Sequence, residues 1–136
     1  MSKLEAVVAA TSVESGRFHQ VETTVDLGSL LRLFDQLMGI GQGYLELRSA
    51  EREFPLVTVG FRGRFAVMHC ASAPDQMALL RGDGSVEPGQ IVEVPIMGEF
   101  ATFTGEFVLD TARARTALED FVANGNPARL GEWCEL

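Results

Sequence analysis

Large apolar residues recur every three or four positions just after Asp26, and this spacing places them on one face of a helix. They are Leu27, Leu30, Leu31, Phe34, Leu37 and Met38. Asp26 is a residue type that caps helix N-termini, and Gly39 is a residue type that ends helices. The pattern therefore predicts an amphipathic helix over residues 27–38.

A second helix is predicted over residues 111–124, near the end of the sequence. Asp110 can cap its first turn, and Gly125 can end it. The apolar positions on its inner face are Ala114, Ala117, Leu118, Phe121 and Val122. A short closing segment is then expected to bring Leu130 and Trp133 back toward the core.

Short runs of apolar and β-branched residues predict the strands. They occupy residues 17–25, 43–48, 54–61, 64–71, 77–80, 91–96 and 100–107. Several connections are too short for a crossover helix, so neighbouring strands are expected to pair antiparallel. The sequence thus predicts one α+β domain over residues 1–136, in which a mainly antiparallel sheet of about five to seven strands packs against the two helices.

The charge of the chain is negative and unevenly distributed. It carries 11 Lys and Arg against 19 Asp and Glu, a formal net charge of −8, and residues 69–136 hold 4 of the basic and 11 of the acidic side chains. A chain of this charge is repelled by phosphate backbones and anionic membrane surfaces. We therefore expect no direct nucleic-acid or membrane binding, whereas a basic partner would be attracted. Acidity that serves only to keep the protein in solution is the alternative.

No stretch of about twenty apolar residues occurs, so the sequence predicts no membrane-spanning helix. Residues 4–13 are apolar on average but are interrupted by Glu5, and no basic segment with a small-residue cleavage site frames them. We therefore expect a cytoplasmic protein. In a reducing compartment the two cysteines, Cys70 and Cys134, are expected to be free thiols.

The sequence offers little of the chemistry that enzymes and metal sites require. Its candidate zinc ligands are His19, His69, Cys70 and Cys134, and on a strand the adjacent His69 and Cys70 leave opposite faces. It contains no serine nucleophile elbow of the GxSxG type. We predict no catalytic residue, no bound metal and no cofactor, whereas acid–base catalysis by a pair of carboxylates stays open.

Acidic and apolar residues are interspersed between positions 75 and 106. One interpretation is a solvated sheet face whose alternate residues point inward. The other is a protein-binding surface, in which methionine and aromatic side chains supply buried area and carboxylates select a basic partner. Under the second interpretation the candidate partner-binding residues are Asp75, Asp83, Glu87, Glu93, Met97, Glu99, Phe100 and Glu106.

Two stretches of the chain together resemble a known family. Residues 54–68, FPLVTVGFRGRFAVM, are similar to its paired central strands joined by a short polar turn. The C-terminal block is similar to the family's ending of helix, Gly, Pro, aliphatic residue and Trp, carried here by Ala114, Ala117, Phe121, Gly125, Pro127, Leu130 and Trp133. On these residues the chain resembles the immunity proteins of bacterial polymorphic-toxin systems grouped as Imm family one. Because Gly131 and Glu132 both separate Leu130 from Trp133, a bulge at Gly131 is expected to return Trp133 to the same face.

This resemblance implies a cytosolic, non-enzymatic antidote that binds a cognate toxin domain, commonly a nucleic-acid deaminase, and blocks it. The negative charge fits a toxin whose active-site cleft is basic. A small metal-independent enzyme or ligand-binding domain, with its pocket between the sheet and the helices, is an alternative function, and a self-associating structural module is a third. The sequence leaves the oligomeric state and the identity of the toxin open.

Overall fold

The structure, a computed structural model that describes residues 4–136, has three layers: two helices, a large sheet and a β-hairpin. The helices are α1 (Leu27–Ile40) and α2 (Thr111–Asn124), and neither of these described helices is long and apolar enough to cross a membrane. The strands are β1 (Glu5–Thr11), β2 (Phe18–Asp26), β3 (Gln42–Arg48), β4 (Leu56–Arg62), β5 (Phe65–Ala73), β6 (Gln76–Leu80), β7 (Ile91–Ile96), β8 (Glu99–Thr104), β9 (Leu109–Asp110) and β10 (Trp133–Glu135).

Eight of these strands form one antiparallel sheet in the spatial order β10-β6-β5-β4-β3-β1-β2, with β9 paired to β5. β7 and β8 pair with each other in a separate hairpin. The α+β class, the antiparallel pairing and the two helices are confirmed. The strands outnumber the five to seven predicted because no strand is predicted from residues 4–13, most of which form β1. In addition, β9 and β10 span only two and three residues, too few to show a period of two.

α1 begins where the sequence predicts but ends two residues later than expected. The Asp26 carboxylate accepts a hydrogen bond from the Ser29 amide at 2.7 Å and caps the first turn. The predicted end at Gly39 is wrong. Gly41 ends the helix instead, with a φ of 110°, and its N–H donates to the Leu37 carbonyl. A glycine ends a helix only where the chain turns to the left-handed conformation, and the sequence does not say which of two nearby glycines does so.

α2 has the predicted boundaries. The Asp110 carboxylate accepts a hydrogen bond from the Ala112 amide at 2.9 Å, and at the other end the Gly125 amide donates to the Phe121 carbonyl at 2.7 Å. The bulge predicted at Gly131 is wrong: this residue, with a φ of 148°, ends a 3₁₀ turn over Pro127–Leu130 and lies outside any strand, since β10 begins only at Trp133. The capping residues therefore set both ends of α2 as the sequence predicts, whereas the connection from α2 to β10 differs from the prediction.

The larger hydrophobic core lies between the sheet and the helices. Phe61 and two valines of β4 point to this side and are fully buried, since alternate residues of a strand share a face. The ring centre of Phe61 lies 4.8 Å from that of Phe34 on α1. Leu130 is buried in this core and Trp133 of β10 packs against it, as predicted. The space between sheet and helices is therefore filled by side chains.

A smaller core lies on the opposite face of the sheet, which the β7–β8 hairpin covers. Val92 and Val94 of β7 are buried in it with Val67 of β5. β7 approaches β4 so closely that a Cβ at Gly60 would overlap the carbonyl oxygen of Pro95. Only glycine at position 60 permits so close an approach. The position of the hairpin on the sheet in turn determines where the candidate site lies.

Candidate functional site

The eight residues predicted to bind a partner fall into three separate places on the surface. The apolar members lie together with two of the carboxylates, and the other four carboxylates lie elsewhere. The three groups are Glu93, Met97, Glu99 and Phe100 on the β7–β8 hairpin; Asp83, Glu87 and Glu106 at the corner formed by the β6–β7 loop and the 3₁₀ turn after β8; and Asp75 in the turn between β5 and β6.

The tip of the hairpin is a two-residue turn, since Ile96 pairs with Glu99 and leaves Met97 and Gly98 between them. Met97 has a φ of 57°. In this left-handed region a residue with a Cβ is strained, and glycine or asparagine is the usual occupant of such a turn position. A methionine held there costs on the order of 1 kcal/mol. The fold thus keeps an exposed apolar side chain at the tip of the hairpin although this conformation costs free energy locally.

Three large apolar side chains are half exposed around this turn. Ile40, at the end of α1, is 53% exposed, Met97 is 52% exposed and Phe100 is 50% exposed. All three line one pocket of about 390 Å³, to which Glu99 and Arg17 also contribute. We call Ile40, Met97, Glu99 and Phe100 the hairpin-tip surface. It combines apolar contact area with a carboxylate at one protruding point.

Arg62 of β4 links the sheet to both strands of the hairpin. Its Nη1 donates to Oε1 of Glu93 on β7 at 3.0 Å, and its guanidinium carbon lies 5.4 Å from the ring centre of Phe100 on β8, a cation–π distance. Both groups of the Arg62–Glu93 ion pair are about half exposed, so the pair contributes little to the stability of the fold. Its main effect is to hold the Arg62 guanidinium against the Phe100 ring and so to orient that ring. Glu93 is paired, whereas Glu99 forms no ion pair within residues 4–136.

Replacing Met97 by glycine is expected to raise the free energy of unfolding by about 0.5–1 kcal/mol. Glycine adopts a φ of 57° without strain, and part of that gain is lost to its greater freedom in the unfolded chain. Met97→Ala is the matched control, because it also removes the long side chain but keeps the Cβ and the strain. Urea unfolding of the three proteins measures the difference, and a glycine variant less stable than the alanine variant by about 0.5–1 kcal/mol, the ordinary cost of glycine, would show that the turn is not strained.

The corner that contains Asp83 and Glu106 has its own internal partners. Oε2 of Glu106 lies 3.6 Å from Nη1 of Arg81, and the Asp83 carboxylate accepts the amides of Ser85 and Asp110, each at 3.0 Å. Burial alone would raise the pKa of Asp83, but the hydrogen bonds to its carboxylate outweigh burial and hold the pKa below its ordinary value. Asp83 therefore fastens the loop after β6 to the start of α2.

The two remaining candidates are exposed and distant from the hairpin tip along the sheet. Glu87 lines a shallow pocket at the corner of Arg81 and Glu106, and Asp75 lines a groove beside β6 and β10. The hairpin tip instead adjoins the loop between β1 and β2 and the start of β3. The structure therefore brings three of the eight predicted partner-binding residues, Met97, Glu99 and Phe100, together at the hairpin tip and leaves the other five outside it.

Ile40 belongs to the hairpin-tip surface but is not among the partner-binding residues predicted from the sequence. It lies outside the apolar stripe of α1 and beyond the end predicted at Gly39, so the pattern assigns it to a loop. The second glycine, Gly41, is the signal that a longer helix was possible. Its proximity to Met97 depends on how the hairpin crosses the sheet, which no local pattern indicates.

His69 and Cys70 of β5 lie on opposite faces of the sheet, as predicted. Cys70 belongs to the larger core, and burial raises the pKa of its thiol to about 11. The His69 ring faces the hairpin, with its centre 5.6 Å from that of Phe103 on β8, and burial lowers the pKa of its imidazole. Within the described range no three His, Cys, Asp or Glu side chains are grouped so as to hold a metal ion.

Acidification from pH 7 to pH 5 is expected to destabilise the protein in part through His69. Because burial lowers the imidazole pKa in the folded state, the unfolded chain takes up this proton first, and stability present above about pH 6.5 is lost as the pH falls toward the lowered folded pKa. His69→Gln should flatten this part of the profile of Tm against pH, measured at constant ionic strength. A variant profile parallel to that of the parent chain would exclude His69 as the responsible group.

The hairpin-tip surface thus combines exposed apolar area with a carboxylate that forms no ion pair among the described residues, a combination that suits recognition of another macromolecule. Its side chains come from the end of α1, from the turn of the hairpin and from β8, and Arg62 of β4 lies against the Phe100 ring. In comparisons with protein-family models and with curated proteins, the sequence matches none.

Proposed function

We propose that this chain is an immunity protein, which binds a bacterial toxin domain and occludes its active site with the hairpin-tip surface. The observation that carries the proposal is the group of half-exposed side chains of Ile40, Met97 and Phe100 around a strained two-residue turn. Clustered aromatic and methionine side chains are typical of the centres of protein interfaces. The resemblance to Imm family one supports the same function.

The charge of the chain supports a basic partner. The net charge is −8, and Glu99 places a carboxylate on the hairpin-tip surface itself. A toxin that acts on nucleic acid needs cationic groups to hold the phosphate backbone, and an acidic protein is drawn to such a cleft by long-range attraction. We infer that the toxin acts on nucleic acid, as a nucleic-acid deaminase does, and that the hairpin tip binds in its active-site cleft.

The residues of the tip match the two parts of such a cleft. Proteins that bind single strands stack bases on apolar and aromatic side chains and track phosphates with cations. Met97 and Phe100 would occupy the stacking positions, and Glu99 would meet a cation that otherwise holds phosphate. Because protection from a toxin requires nearly complete occupancy, we expect nanomolar or tighter binding over an interface of roughly 1,600 Å² or more.

Co-expression tests the proposal. The probe is the C-terminal domain encoded by the reading frame adjoining this gene, produced in cells with and without this chain. We expect that domain to arrest growth alone, growth to recover with this chain, and the two proteins to purify as a stable complex. Equal growth arrest with and without this chain, or a domain that is neither toxic nor bound, would overturn the proposal.

Charge reversal at the hairpin is expected to slow association with the toxin. Glu93→Lys together with Glu99→Lys should lower the association rate constant about tenfold at low salt, because electrostatic complementarity acts mainly on encounter. Glu106→Lys tests the location, since Glu106 lies at a different corner beside Arg81. Surface plasmon resonance at two salt concentrations measures both. An equal effect of Glu106→Lys would move the interface away from the hairpin tip.

A further inference from the structure

A second concave site lies at the opposite edge of the sheet from the hairpin tip, beside β10. It is a groove of about 430 Å³ on the helix side, beyond the end of α2. The residues that line it are Cys70, Ser72, Asp75, Gln76, Met77, Ala78, Asn126, Pro127, Ala128, Trp133, Glu135 and Leu136. None of the function proposed for the hairpin-tip surface involves this groove.

The floor and one wall of the groove are apolar. Cys70 and Ala78 are paired neighbours on β5 and β6, so their small side chains lie side by side and leave space above them. Trp133 forms a wall, and its Nε1 donates to the carbonyl oxygen of Pro127 at 2.8 Å, which fixes the indole ring. Met77 is exposed at the rim. An aliphatic chain therefore fits along this floor.

The only charged side chains that line the groove are acidic. Asp75 and Glu135 are both exposed, and the lining includes no lysine, arginine or histidine. Neither carboxylate forms an ion pair with another residue of the described chain. A side chain with an aliphatic stem and a cationic end, as in arginine or lysine, can bury the stem on the floor while the cation reaches the two carboxylates.

The backbone beside the groove favours an extended occupant. β10 is the edge strand of the large sheet. On the side of β10 that faces β6, the Glu132 carbonyl accepts a hydrogen bond from the Arg81 amide at 2.8 Å. On the same side, the Leu136 amide donates to the Met77 carbonyl at 3.0 Å. Since backbone groups alternate in direction along an antiparallel strand, those of Trp133 and Glu135 point to the outer edge. An added strand could pair there.

We propose that this groove binds an extended basic segment of a partner protein, with one arginine or lysine side chain seated between Trp133 and the carboxylates of Asp75 and Glu135. Backbone pairing with β10 supplies part of the affinity, and the acidic groove selects the cationic side chain. The site is independent of the hairpin-tip surface and of the toxin, since the groove lies at the β10–β6 edge of the large sheet, whereas the hairpin tip adjoins the connection between β1 and β2 at the other edge.

The probe that tests this site is a capped five-residue peptide with a central arginine between valines, compared with the same peptide carrying neutral citrulline. Trp133 is the chain's one tryptophan, so its fluorescence reports directly on the groove. We expect saturable binding with a Kd on the order of 0.1–1 mM and at least about tenfold preference for the arginine peptide. Amide shifts in β6 and β10, measured by NMR, should accompany it.

Two variants separate the groove from general attraction to a negative protein. Asp75→Asn with Glu135→Gln should abolish the preference for arginine, whereas Glu14→Gln with Glu51→Gln, which changes the net charge equally at exposed positions away from the groove, should preserve it. Thermal unfolding confirms that each variant is folded. Equal binding of the arginine and citrulline peptides, no response up to 5 mM (about 50-fold above the tightest Kd expected), or an equal loss in both variants would overturn the proposal.

Discussion

The double variant Met97→Ser/Phe100→Ser is expected to bind the toxin domain about a thousandfold more weakly than the parent chain, because central apolar anchors of an interface each contribute about 2 kcal/mol or more. Both side chains are half exposed, so their removal should leave the folded state intact. Titration calorimetry measures the Kd, and growth rescue in the co-expression assay should fail in parallel. Tm records that the variant is folded.

Val21→Ser is the matched control for this loss of apolar surface. Val21 is 73% exposed on β2, an edge strand of the sheet, and does not line the hairpin-tip pocket. It should bind the toxin domain within about twofold of the parent chain, as surface positions outside an interface do. Tight binding by the Met97→Ser/Phe100→Ser variant would exclude the hairpin tip as the centre of the interface, even if a toxin complex forms.

Replacing Gly60 by alanine is expected to lower the free energy of unfolding by about 2–3 kcal/mol, since an added methyl group in a packed region forces the backbone apart. The new Cβ would overlap the Pro95 carbonyl oxygen and lie 3.1 Å from the Ile96 side chain, so β7 must move off β4. Tm should fall by roughly 5–10 °C for a chain of this size. Urea unfolding measures the loss.

Gly39→Ala provides the matched control for Gly60→Ala. Gly39 lies within α1, and a Cβ there would meet no atom within 4 Å. Alanine is the better helix former, so this variant should be more stable by about 0.5–1 kcal/mol. If Gly60→Ala were as stable as the parent chain, β7 could not lie against β4 as described, and the position of the hairpin tip would be wrong.

The sequence predicts part of the hairpin-tip surface, and the fold supplies the rest. Met97, Glu99 and Phe100 are candidates from their residue types, and strands are predicted on both sides of residues 97–99, but only the structure shows that these strands pair as a separate hairpin. Asp75 and Glu106 are predicted together with them because all five residues lie within positions 75–106. The fold separates these carboxylates, since β6, β7 and the 3₁₀ turn after β8 run to different parts of the sheet.

Local periodicity and capping chemistry by themselves determined the two helices, the paired strands β4 and β5, and the opposite faces of His69 and Cys70. These features depend on residues only a few positions apart, so the local spacing of apolar and capping residues is enough to predict them. Only the tertiary structure decided that β1 enters the sheet, that the hairpin covers its second face, and that Ile40 and Met97 line one pocket. Those arrangements depend on burial between segments that are distant in sequence, and by pattern alone several apolar strands could cover the second face of the sheet. The close approach of β7 to Gly60, which leaves no room for a Cβ, selects one of them.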